Sequence, residues 1–98
     1  MYSFQLFKSE ATNKKYKVII YKDGSKVKTL NFGDNRYNDY IEYNKIDKDL
    51  ANQRKRLYLI RHQNEDFNNF LTASYWSKNI LWNKPTLELS IKSIKLNR

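Results

Sequence analysis

The chain has 98 residues, 19 Lys+Arg against 10 Asp+Glu for a formal charge of +9, and no cysteine, so disulfides and thiolate metal sites are excluded. Two Gly and one Pro beside five Phe, eight Tyr and two Trp argue against a disordered chain and leave no glycine-rich phosphate loop. No apolar run approaches the ~18 residues of a membrane span, and Met1–Lys8 lacks the basic flank and continuous apolar stretch of a signal peptide. The expectation is one soluble domain over residues 1–98, intracellular or made inside a cell, with one modest core.

Tyr2, Phe4 and Leu6 alternate with Ser3, Gln5 and Phe7, which predicts a short strand. Lys8 to Lys15 is polar and reads as a loop. Tyr16 to Lys22 is β-branched and aromatic, a strong strand. Asp23-Gly24 tolerates the positive φ of a type I′ turn, so Lys26 to Phe32 returns as the partner strand. A regular two-residue turn pairs Ile20 with Val27 and Val18 with Thr29 on the core face, and places Lys28 and Leu30 on the other.

Gly33-Asp34-Asn35 ends the strand, and Asp34 or Asn35 is a candidate cap for a helix from Arg36 to Ile46. Asp47 is a second cap candidate. The clearest helix runs from Lys48 to Gln63, with Leu50, Leu57 and Ile60 as its apolar face. Thr72 or Ser74 starts a short helix through Trp82, with Trp76 and Ile80 four apart. Pro85 suits the first position of a last helix whose stripe is Leu87, Ile91, Ile94 and Leu96. Strands first and helices afterwards predict an α+β fold: a small antiparallel sheet packed against three or four C-terminal helices.

The long helix supplies the candidate site. Arg54, Tyr58 and Arg61 share a face, with Lys55 and His62 beside it and Arg56 on the same helix. No acid occurs between Arg54 and His62, so no neighbouring carboxylate neutralises the charge. Guanidinium forks match phosphate oxygens, and a tyrosine between them could stack on a base. The competing reading is a solvated outer face with Arg stems covering a Tyr. Lys17, Lys26 and Lys28 on the hairpin add long-range attraction, although lysines also keep sheet edges from pairing. Trp76, Trp82 and Tyr75 read as core or interface anchors, with Trp82 plugging the corner before Pro85 and largely buried.

Catalysis has little to stand on. His62 is the single histidine, no second His or Cys can complete a metal set, and no nucleophile sits beside a base. The carboxylates from Asp34 to Asp49 could in principle serve a two-metal nuclease, but two of them read as helix caps. The expectation is a non-enzyme with no cofactor, no metal and no small-molecule substrate.

Tyr16–Tyr21, Lys28–Asp34, Arg61-His62, Tyr75-Trp76-Ser77 and above all Leu81-Trp82-Asn83-Lys84-Pro85-Thr86-Leu87 resemble an uncharacterised family of small basic proteins from large DNA viruses and some tailed phages. The match covers about residues 16 to 92 and departs from the family pattern in an Asn-rich segment around 43 to 53. The family offers no activity to carry over to this chain, but the resemblance implies a viral setting, in the virion or in the host cytoplasm or nucleus. The partners expected are then nucleic acid, DNA or RNA with low sequence specificity, or alternatively acidic virion proteins for a minor structural protein. No membrane partner is expected.

Overall fold

The β-branched and aromatic run at Tyr16–Lys22 becomes the middle of a three-stranded antiparallel sheet in the computed structural model, which describes residues 1–96. The strands β1 (Tyr2–Lys8), β2 (Lys14–Lys22) and β3 (Ser25–Asp34) lie in chain order. Residues opposite one another share a face. Phe4 and Leu6 therefore join Ile20 and Val18, and Tyr16 joins Phe32, on the inner face. Val18, Ile20 and Phe32 are at most 1% exposed there.

Asp23 and Gly24 take the positive φ of a tight hairpin turn, +50° and +84°. The strand register beyond it corrects the simple expectation. The ladder slips at Ile20/Tyr21, so Ile20 faces Lys28 and Val18 faces Leu30 rather than Val27 and Thr29. Val27 is the additional residue and is 48% exposed. A one-residue shift exchanges the two faces of a strand. Without the bulge, Thr29 and Asn31 would point into the core; with it, Leu30 and Phe32 do.

The segment predicted as a helix from Arg36 is mostly a turn. Helix α1 spans only Tyr40–Asn44, capped by Asp39 and not by Asp34 or Asn35. Asp34 is already engaged, accepting from the Arg36 amide at 3.0 Å and from its guanidinium at 2.8 and 2.9 Å. Asp39 instead accepts from the Glu42 amide while Glu42 accepts from the Asp39 amide, a reciprocal capping box. Helix α2 (Lys48–Arg61) starts on Asp47, which accepts from the Asp49 amide at 2.9 Å.

Helix α3 (Ala73–Trp76) is capped by Thr72 and runs on into a π-helical turn, Ser77–Leu81. Trp76 and Ile80 are fully buried against the sheet, and the Trp76 indole donates to the Phe70 carbonyl at 2.7 Å. Helix α4 (Leu87–Ser93) is capped by Thr86, so Pro85 precedes the cap instead of opening the helix. Thr86 supplies what proline cannot, a side-chain oxygen that accepts from the Leu89 amide at 3.2 Å. Leu87, Ile91, Ile94 and Leu96 all pack against the same core. The protein is an α+β fold with the helical layer on one sheet face.

Candidate nucleic-acid interface

Helix α2 is turned differently from the apolar face its leucines suggest. Ala51 and Tyr58 are its buried residues, whereas Leu57 and Ile60 are 41% and 54% exposed. The docking contacts explain the rotation. The Tyr40 hydroxyl donates to Asn52 Oδ1 at 2.8 Å, and the Lys55 ammonium donates to the Asn83 carbonyl at 2.8 Å. Tyr58 lies flat on Trp82, with ring centroids 4.5 Å apart and planes 4° from parallel. These polar and aromatic anchors outweigh the outward Leu57 and Ile60, because two stacked rings bury more area than either aliphatic side chain.

The rotation divides the predicted site residues. Arg54 and Arg61 are exposed and line one cleft of about 880 Å³ between α2, the end of β3 and the α3 segment. Being seven residues apart, they stand about 10 Å apart along the helix axis. Neither forms an ion pair or hydrogen bond with a carboxylate among the described residues; the Arg54 guanidinium sits 5.7 Å from the Tyr43 ring. Arg56 is exposed but does not line the cleft.

Tyr58 corrects the expected stacking platform. It is 8% exposed, stacked on Trp82 and contacted by the His62 ring at 4.4 Å, so no ring face is left for a base. Burial, with Glu65 second, pushes its hydroxyl pKa up to about 12. Trp82 is half-buried rather than largely buried, and it joins α2 to the corner through that stack.

Lys55 is likewise taken up by the fold. Its ammonium lies 4.8 Å from the Tyr40 ring besides holding Asn83, and burial, followed by Lys84 and Lys78, lowers its pKa. His62 faces the Glu65 carboxylate through Nδ1 and lies against the Tyr58 ring, so it too is held by local contacts. The Ser74 hydroxyl also donates to Glu65 at 2.5 Å, and Ser74 and His62 together hold the Glu65 carboxyl below its usual range.

The hairpin lysines do not converge on the cleft. Lys17 and Lys26 belong to the outer sheet face, where the Lys17 ammonium rides 5.6 Å above the Phe7 ring. The bulge puts Lys28 opposite Ile20, at an exposed position of the inner face. The expected stripe therefore resolves into a two-arginine cleft, an outward Arg56, Lys55 and His62 held by local contacts, and scattered lysines.

Asp34, Asp39, Glu42 and Asp47 each have local partners. Arg36 brings the Asp34 pKa down to about 2. Lys15 reaches from β2 to both Asp39, at 2.7 Å, and Glu42. Burial raises the Asp39 pKa against the pull of Lys15. Asp47 caps α2. Among the described residues no three His, Cys, Asp or Glu side chains group to hold a metal ion, and no helix is long and apolar enough to cross a membrane.

Sequence reasoning missed Tyr37. It is 69% exposed and lines the same cleft, with the Arg36 guanidinium 6.0 Å from its ring. The available signal was the Gly33–Asn38 cluster of Gly, Asp and Asn, which favours a turn and so removes Tyr37 from a helix face. No family model, curated protein or solved structure matches the chain.

Proposed function

We propose that the protein binds nucleic acid electrostatically, without reading sequence and without performing chemistry on it. The observation that carries this reading is the pair Arg54 and Arg61: two exposed guanidiniums in one cleft, without a carboxylate partner among the described residues, on a chain of net charge +9. A planar fork of donors suits phosphate oxygens, and phosphate contacts supply affinity rather than sequence information. The engagement of Asp34, Asp39, Glu42 and Asp47 by local partners supports binding without catalysis. In the viral setting implied by the Leu81–Leu87 resemblance, this role is association with the genome during packaging or in the particle.

The test is a fluorescence-anisotropy titration over a range of salt concentrations. Log affinity should fall linearly with log salt, by about 0.9 per phosphate neutralised on a duplex and about 0.7 on a single strand. Arg54→Ala with Arg61→Ala should flatten the slope by roughly one or two units in a protein that stays folded. Absence of binding to any DNA or RNA at low salt refutes the proposal. Salt-insensitive capture of an acidic protein, with no nucleic-acid binding, points to the particle-assembly role instead.

A further inference from the structure

The cleft's shape bears on which form of nucleic acid it accepts. Resting on the binding role proposed above, we infer that the cleft takes unpaired nucleic acid in preference to duplex, with Tyr37 as the ring on which a base stacks and Arg54 and Arg61 as the phosphate contacts. Three observations lead there.

The guanidiniums line a concavity of about 880 Å³. A site of that size lies within the range of ~300–1,000 Å³ that encloses small ligands, suiting a short run of nucleotides but not a duplex. The outward side of α2 is more mixed: Leu57 and Ile60, 41% and 54% exposed, stand beside the exposed Arg56 and Gln53, a less uniformly cationic surface than a phosphate-lined groove calls for.

The cleft also contains a ring that stays largely exposed. Tyr58 is enclosed by Trp82 and His62, but Tyr37 is 69% exposed in the turn between β3 and α1. Every unpaired base has a π-face to offer such a ring, whereas paired bases stack on one another inside the helix. The neighbouring Arg36 guanidinium, 6.0 Å from the Tyr37 ring, keeps that end of the cleft cationic even while bonded to Asp34.

Finally, the local carboxylates leave the two guanidiniums uncompensated. Asp39 is bonded to Lys15, Glu65 to His62 and Ser74, and Asp34 to Arg36. An incoming phosphate therefore meets Arg54 and Arg61 with their charge available.

Anisotropy with a labelled oligothymidylate and with a duplex of equal length, at one low salt concentration, tests the inference. The single strand should bind at least about tenfold more tightly. Tyr37→Ala should weaken single-strand binding about tenfold to a hundredfold, the usual effect of losing one base–aromatic stack, and leave the salt slope unchanged. Tyr37→Phe should keep the affinity, and the melting temperature of both variants should match the wild type because the ring is exposed. Duplex binding as tight as single-strand binding, or an unaffected Tyr37→Ala variant, overturns the inference while the electrostatic role stands. Failure to bind either probe overturns both.

Discussion

Replacing Lys15 by Met separates a buried charge from its partner and gives the most informative stability experiment on this fold. The Lys15 side chain is 12% exposed and that of Asp39 5%, with Nζ and Oδ2 2.7 Å apart. At an effective dielectric constant of ~20 their gross attraction is about 6 kcal/mol. Much of that offsets the desolvation of the two groups. The cost of Lys15→Met is therefore set mainly by the Asp39 carboxylate left behind, about 3–5 kcal/mol. Glu42 contributes less, because its side chain is 42% exposed and rehydrates. Met retains most of the aliphatic stem, so little packing is lost.

In a domain whose total stability is about 5–15 kcal/mol, the loss amounts to a drop of at least ~12 °C in Tm. It should also depend on pH. An unfolded chain ionises Asp39 near its ordinary value of 3.8, while burial already holds the folded group above that and removal of Lys15 raises it further. A carboxyl with a raised folded pKa makes the native state bind the extra proton, so stability falls as pH rises through that interval. Denaturation followed by circular dichroism should show the variant far below wild type near pH 7 and the gap narrowing near pH 4.5. Adding Asp39→Asn to Lys15→Met should recover most of the loss, since Asn still caps α1 and carries no charge. A Lys15→Met protein within about 1 kcal/mol of wild type at neutral pH, or a gap constant over this range, refutes the reasoning.

Two further stability tests follow from the geometry. A Cβ at Gly33, where φ is +78°, would lie 2.6 Å from Leu81 Cδ1 and 3.2 Å from Lys15 Cβ, while one at Gly24, where φ is +84°, meets nothing within 4 Å. Gly24→Ala should cost only the left-handed backbone term of about 1–2 kcal/mol, and Gly33→Ala that term plus the clash with a buried leucine. Equal melting temperatures for the two variants would contradict this. Tyr58→Ala should lose about 3–5 kcal/mol, whereas Tyr58→Phe should keep both its stability and its nucleic-acid affinity. A folded Tyr58→Phe protein with weakened binding would return Tyr58 to the interface.

Local signals in the chain were sufficient for most of the elements, the start of α1 excepted. Asp23-Gly24 sets the hairpin because its backbone accepts positive φ, and Asp47 and Thr72 cap helices because a short side-chain oxygen reaches an orphan amide. Alternation at Tyr2–Leu6 and the spacing of Trp76 and Ile80 marked residues that pack into the core. The Asp39–Glu42 capping box was equally legible as an acid pair three residues apart, and it locates the short α1 better than Asp34 does.

What the chain could not reveal was which way each element faces. The bulge after Ile20 moves one residue of β3 and thereby decides that Leu30 and Phe32, not Thr29 and Asn31, fill the core. The rotation of α2 depends on Tyr40 in the preceding helix and on Asn83 and Trp82, which lie far from it in sequence; it buries Tyr58, occupies Lys55 and leaves Leu57 outside. The same rotation turns Arg54 and Arg61 into a cleft with Tyr37. Composition and local pattern determined a basic α+β protein with acid-free cations on one helix. Only tertiary packing decided which of those cations stay free, because burial and partnership are contacts between segments that no single segment encodes.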